Sequence, residues 1–230
     1  MSIIAEKTTQ VVSEINEACL KAGRAPTEVA LLAVSKTRSA DEVREAYHQG
    51  LTRFGENYLQ EALDKMQLLD DLPLEWHFIG PVQSNKTRQI AEAFDWVHSV
   101  DRLKIARRLS EQRPADLPDL NICLQVNIDD ESSKSGCSPD EALELAREIA
   151  ALPHLNLRGL MAIPAPSEDE AVQRQAFTKV RALAETLRAS GIPIDTLSMG
   201  MSGDLTSAIA EGSTLVRIGT ALFGPRSAKG

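Results

Sequence analysis

A chain of 230 residues, 43% hydrophobic and 25% charged, can bury a full core and has the composition of an ordinary globular protein. Its net charge of -8 argues against nucleic-acid or anionic-membrane binding by the chain as a whole, and no apolar run approaches the length of a membrane span. Three widely spaced cysteines (Cys19, Cys123, Cys137) lack disulfide or zinc-site spacing, and Met1 to Lys7 lacks a signal-peptide pattern, so a reducing, cytoplasmic location is expected.

Residues 3–22 carry apolar side chains at helical spacing (Ile4, Val11, Val12, Ile15, Ala18, Cys19), with Gly23 as a C-cap. Residues 29–34 follow as an uninterrupted apolar run, which suits a strand buried on both faces, as in a parallel sheet covered by helices. Lys36 ends that strand, and Ser39 with Glu42 forms a capping box for a helix reaching Gly50. Residues 52–58 are a second strand breaking at Gly55 into a helix to Leu69, and 74–80 a third, followed by a helix from Ser84 to Ala93. Residues 95–100 are a fourth strand, with Asp101 capping a helix to Gln112, and 121–128 a fifth. After a polar loop, 129–136, Ser138-Pro139-Asp140-Glu141 opens a helix with cap, N1 proline and capping-box glutamate in place. Residues 155–163 are a sixth strand; Ser167 and Glu170 predict a capping box for a helix to Ser190. Residues 194–199 are a seventh strand, 202–211 a helix, 214–220 an eighth strand, and a short helical tail closes the chain.

Eight strands alternating with helices exceed the usual count of an open doubly wound sheet and predict an α/β fold, a closed (β/α)8 barrel preceded by a helix, in one domain spanning 1–230. In such a barrel the active face lies at the carboxyl ends of the strands, with phosphate commonly held after strands seven and eight. Lys36 at that face is either a lysine snorkelling to water or a partly desolvated amine able to attack aldehydes. The two last loops, Ser198 to Asp204 and Arg217 to Thr220, combine glycines, hydroxyls and a helix N-terminus, which suits an anion or simply shapes two turns. A lysine facing a phosphate cradle points to a phosphorylated aldehyde, whether pyridoxal phosphate or a sugar phosphate.

Several motifs then share one pattern: Leu32 to Thr37, Phe54 to Tyr58, His77 to Lys86, Ser132 to Gly136, Gly159 to Ile163, Ser198 to Asp204 and Val216 to Gly224. Together, in this order and over almost the whole chain, they resemble the pyridoxal phosphate homeostasis protein family. The resemblance implies a fold-type III barrel related to the N-terminal domain of alanine racemase, with pyridoxal 5'-phosphate (PLP) bound as an internal aldimine. It matches Lys36 to the Schiff-base lysine, and Ser198 and Ser202 with the backbone of Met199 and Gly200 to the first phosphate loop. Gly219 and Thr220 match the second, and Arg217 is similar in position to the arginine that faces the pyridine nitrogen. Asn57 and His77, with Asn85, either line the pocket or serve as caps and loop hydrogen-bonding groups.

The resemblance also implies a role in PLP homeostasis, binding and supplying PLP to apo-enzymes without robust turnover. The alternative is a PLP-dependent amino-acid racemase, which needs a base on each face of the substrate Cα. Lys36 serves one face, and Tyr58 is the one local candidate for the other, so the carrier reading is preferred. A monomer is expected, because the racemase dimer rests on a second domain that this sequence does not contain. The polar loop carries Lys134, either a second lysine in PLP traffic or a solvated one.

Overall fold

The structure is a computed structural model and describes residues 2–225. Eight parallel strands close into a barrel in sequence order: β1 (Ala30–Val34), β2 (Arg53–Glu56), β3 (Glu75–Phe78), β4 (Trp96–Val100), β5 (Leu120–Gln125), β6 (Leu155–Met161), β7 (Thr196–Ser198) and β8 (Leu215–Ile218). The first and last strands complete the ring, with Ala30 opposite Leu215 and Ala33 opposite Ile218. The (β/α)8 expectation is therefore met.

The helices are α1 (Ile3–Lys21), α2 (Ala40–His48), α3 (Leu59–Leu68), α4 (Thr87–Ala93), α5 (Leu103–Gln112), α6 (Pro139–Ala150), α7 (Glu170–Ala189), α8 (Leu205–Ala210) and α9 (Thr220–Phe223). The extra helix α1 precedes the barrel and packs across α8, α9 and α2 through Ile4, Val11, Ile15, Ala18 and Cys19, all buried. Like most barrels of this kind, the molecule has two cores. Alternate strand residues such as Ala33, Phe54, Val97, Ile122, Leu197 and Val216 pack outwards on buried helix residues including Val43, Ile105, Ile149 and Phe177. The other set points into the barrel, and here it is unusually polar: His77, His98, Ser198 and Arg217 surround a small cluster of Trp96, Cys123 and Met161.

The capping boxes at Ser39/Glu42 and Ser138/Glu141 form as predicted. Four other starts move. Helix α4 begins at Thr87, after a short 3-10 turn over Ser84–Lys86 and without a Ser84 cap. Arg102, not Asp101, precedes α5 in extended conformation, because the Asp101 carboxylate instead accepts from Gly136 N–H across the neighbouring loop, 3.1 Å. Ser167 accepts from Asp169 N–H, and Asp169 caps α7 by accepting from Ala171 N–H, which shifts the cap two residues. Helix α8 begins at Leu205, which leaves Ser202 and Gly203 in the turn after β7. Strands β2, β3 and β5 to β8 also end earlier than predicted, whereas β1 and β4 end where expected, at Val34 and Val100.

Candidate functional site

A cavity of about 360 Å³ opens at the carboxyl ends of β8 and β1. Lys36 and Arg38 line it from the turn after β1, Arg217 from β8, Met201, Ser202 and Gly203 from the turn after β7, and Gly219 with Thr220 from the start of α9. A slightly larger groove of about 380 Å³ lies beside it, between Asn57, Tyr58, Phe78, Lys86 and Ile90. That groove has neither the β1 lysine nor the anion-binding turns, so the chemistry points to the barrel mouth.

The turn carrying Lys36 is held from below by a buried ionic cluster. Lys65 on α3 donates to Ser35 O at 2.7 Å, Glu56 Oε1 at 2.5 Å and Glu61 Oε1 at 2.9 Å, which uses all three ammonium hydrogens. Ser35 Oγ donates to the same Glu56 oxygen at 2.7 Å, and Glu61 accepts from Thr37 N–H at 2.5 Å. Thr37 sits at φ 64°, a left-handed conformation that costs a β-branched residue energy and persists because these bonds fix both flanks. Burial raises the Glu56 carboxyl pKa, against the downward pull of Lys65. Lys36, half-buried, is thus presented on a rigid platform.

Arg217 forms the floor. Its side chain is almost completely buried and donates to Ser198 O at 2.7 Å, Ser198 Oγ at 2.8 Å and Ala162 O at 3.0 Å. These three bonds leave two of its five N–H groups without an acceptor among the described residues. Burial brings its pKa down to about 10, against the upward pull of Asp204, so it remains a cation at neutral pH. No carboxylate among the described residues forms an ion pair with it. A buried cation held only by neutral oxygens favours an electron-rich ligand beside it.

At the rim, Gly219 and Thr220 start α9, whose first amides have no preceding turn to donate to. Gly200 at φ 103° bends the β7 turn, and a Cβ there would meet Ala208 Cβ at 2.7 Å, so glycine alone fits; its carbonyl accepts from Arg217 N–H at 2.9 Å. Arg38 closes the back of the site, donating to the carbonyls of Phe223 and Gly224.

Five expected residues therefore surround one cavity: Lys36, Ser202, Arg217, Gly219 and Thr220. The others lie elsewhere. Ser198 is fully buried, its hydroxyl engaged by Arg217 and His98 rather than facing the mouth. Met199 packs into the outer core, and Gly200 shapes the turn beneath the wall. Asn57 lines the neighbouring groove. His77 points into the barrel interior, bonded to His98 and Glu75, because it lies within β3 and not at its end. Lys134 is paired with Asp129 at 2.8 Å over a separate depression. Arg38, Met201, His98 and the Glu56–Lys65 cluster were not foreseen. Among the described residues no His/Cys/Asp/Glu group is placed to hold a metal, and no helix is long and apolar enough to cross a membrane.

Comparison with known proteins follows the same lines. The profile of the alanine racemase N-terminal domain matches residues 15–227. A Pseudomonas aeruginosa protein named pyridoxal phosphate homeostasis protein is 62% identical over 226 residues, covering 98% of this chain and 97% of its own. PipY of Synechococcus elongatus, solved with PLP bound, superposes with a TM-score of 0.84 at 38% identity, covering 96% of this chain and 100% of PipY. Alanine racemase of Clostridium difficile shares the fold alone, at TM-score 0.74 and 13% identity over 92% of this chain and 56% of the racemase. A barrel matched over nearly its whole length in these ways belongs to the pyridoxal phosphate homeostasis protein family, within the alanine racemase N-terminal-domain fold.

Proposed function

We propose that the mouth cavity takes up PLP and that the protein stores the cofactor and supplies it to apo PLP-dependent enzymes. The observation that carries this reading is Arg217: a buried cation without a carboxylate partner among the described residues, in a cavity shared with a lysine and two turns rich in glycine and hydroxyls. When bound, PLP supplies an aldehyde that a lysine amine can capture reversibly. Lys36 is the residue placed to do so, on a turn whose backbone is clamped by Lys65, Glu56 and Glu61. Ser202, Thr220 and the amides around Gly203 and Gly219 would hold the phosphate. Arg217 would face the ring nitrogen; a permanent cation there disfavours a second positive charge on the ring and so weakens it as an electron sink. Storage suits that electrostatic setting better than carbanion chemistry.

A carrier is favoured over a racemase because neither tyrosine reaches the cavity wall. Tyr58 is exposed over the neighbouring groove, and Tyr47 lies on α2 against His48. We further propose a soluble, cytoplasmic monomer, to be checked by light scattering on a sizing column. The decisive experiment is the visible absorption of the purified protein and of Lys36→Ala, before and after borohydride. Wild type is expected to show a PLP band that reduction abolishes, with the added mass on the Lys36 peptide; the variant lacks both. The same sample should reactivate an apo PLP enzyme and leave D- and L-alanine unchanged. A protein that takes up no added PLP, or racemizes alanine at enzymatic rates, would refute the proposal.

A further inference from the structure

A polar chain crosses the barrel interior from the mouth to the opposite face. Glu75 and His77, two apart on β3, both point inwards. His77 Nε2 lies 2.7 Å from Glu75 Oε1, and His77 Nδ1 lies 2.8 Å from His98 Nε2. His98 Nδ1 lies 2.7 Å from Ser198 Oγ, which lies 2.8 Å from the Arg217 guanidinium. His77, His98 and Ser198 are wholly inaccessible, so no link is replaced by water at the surface.

The two ends give this chain a direction. A guanidinium only donates and a carboxylate only accepts, so one assignment with neutral imidazoles satisfies every link. Arg217 donates to Ser198 Oγ; the Ser198 hydroxyl donates to His98 Nδ1; His98 Nε2–H donates to His77 Nδ1; His77 Nε2–H donates to Glu75. Charging His77 would reverse its link to His98 and aim two N–H donors, from His98 and Arg217, at the one Ser198 oxygen. Burial opposes that charge: it lowers the pKa of His77, despite the pull of Glu75, and that of His98 further. Glu75 itself is held below the usual carboxyl range, first by its bond to His77.

We infer that Glu75 is a positioning residue for Arg217, acting through His77, His98 and Ser198 across the barrel. With the Ser198 proton drawn towards His98, an oxygen lone pair is left for Arg217, and two acceptors on the same residue pin one guanidinium nitrogen. Without the carboxylate the imidazoles can invert, the Ser198 proton can turn towards Arg217, and the guanidinium loses that acceptor. Other charges near Glu75 are Arg53 on β2, at 3.4 Å, Asp95 just before β4, which accepts from Trp76 N–H, and Arg158 on β6, which stacks on Trp96 and pairs with Asp195 just before β7. The inference deepens the cofactor assignment above and rests on it.

The test uses Glu75→Gln and Glu75→Leu, at a side chain that is partly exposed and therefore tolerant of change. Imidazole nitrogen NMR on protein without PLP should show His77 and His98 as neutral Nε2–H tautomers in wild type. Glutamine can both accept and donate, and leucine does neither, so neither variant holds His77 Nε2–H as the carboxylate does, and both should show mixed tautomers at His77 and His98. With PLP added, both variants should shift the wavelength of the bound band and weaken PLP binding about threefold or more, the scale expected for a broken buried network. Arg53→Gln, which removes a neighbouring charge and leaves the chain intact, should change neither. Charged or Nδ1–H histidines in wild type overturn the inference, as do folded Glu75 variants with unchanged band and affinity. If wild type takes up no PLP, the cofactor assignment and the positioning role fall together, whereas the tautomer spectra still decide the order of the hydrogen bonds.

Discussion

Replacing Lys65 with methionine keeps the length of the side chain and removes the ammonium beneath the Lys36 turn. Glu56 is then left without its cation in a wholly inaccessible site, with Oε1 bonded to Ser35 alone and Oε2 without any partner among the described residues. Orphaning one member of a buried pair costs about 3–5 kcal/mol, because the remaining charge keeps its desolvation penalty. For a chain of this size each kcal/mol moves the melting temperature about 2–4 °C, so a fall of roughly 10 °C is expected. The loss should depend on pH. Burial already holds the Glu56 pKa above its ordinary value of 4.5, and without Lys65 it rises further. A carboxyl whose folded-state pKa lies above the unfolded one favours folding at low pH, and that advantage disappears as pH rises through the folded value. The deficit should therefore be small near pH 4.5 and grow until Glu56 ionises in the folded variant. Urea unfolding followed by circular dichroism across this range measures it directly. Adding Glu56→Leu should recover most of the loss, since no buried charge then remains. A deficit below about 1 kcal/mol at neutral pH, or one that does not change with pH, would refute the buried-pair argument.

Two further outcomes follow from packing. In Gly159→Ala the added Cβ would fall 1.7 Å from Thr196 O, within the β6–β7 ladder, so the strands must part at a cost of about 3 kcal/mol or more; a variant as stable as wild type would disprove the close approach. Burial pushes the Cys123 and Cys137 thiols up to about 12 and raises Cys19 as well, so native protein at pH ~8 should resist alkylation that goes to completion in denaturant, as counted by intact mass.

The strand count, the order of elements and two capping boxes could be read from the sequence because each rests on local chemistry: apolar runs of strand length, and Ser-x-x-Glu at Ser39 and Ser138. The same pattern misleads at Ser167, where Asp169 competes for the cap two residues later and wins. At the site, Lys36, Ser202, Arg217, Gly219 and Thr220 were legible because loops after barrel strands converge whatever the side chains inside. Ser198 and His77 were misplaced for the opposite reason. A strand buried on both faces has no solvent side, so alternation alone does not tell inward from outward. A signal was nevertheless present in β3, where Glu75 and His77 share one parity and the alternate positions, Trp76 and Phe78, are apolar; β4 is less clear, because Ser99 stands opposite in parity to His98. Polar residues of one parity in a doubly covered strand mark the barrel interior. The Glu56–Lys65 pair had no such cue, since it joins a strand end to a helix through the turn between them.

The pairing of Ala30 with Leu215 has a temporal meaning. Contacts between the first and last strands span most of the chain, and such long-range closure comes late in folding. Lys36 stands just after the first of these strands and Thr220 just after the last. During synthesis the lysine leaves the ribosome long before the turns that complete its cavity exist. With the cofactor site assigned as proposed above, uptake is thus withheld from nascent chains until the ring closes.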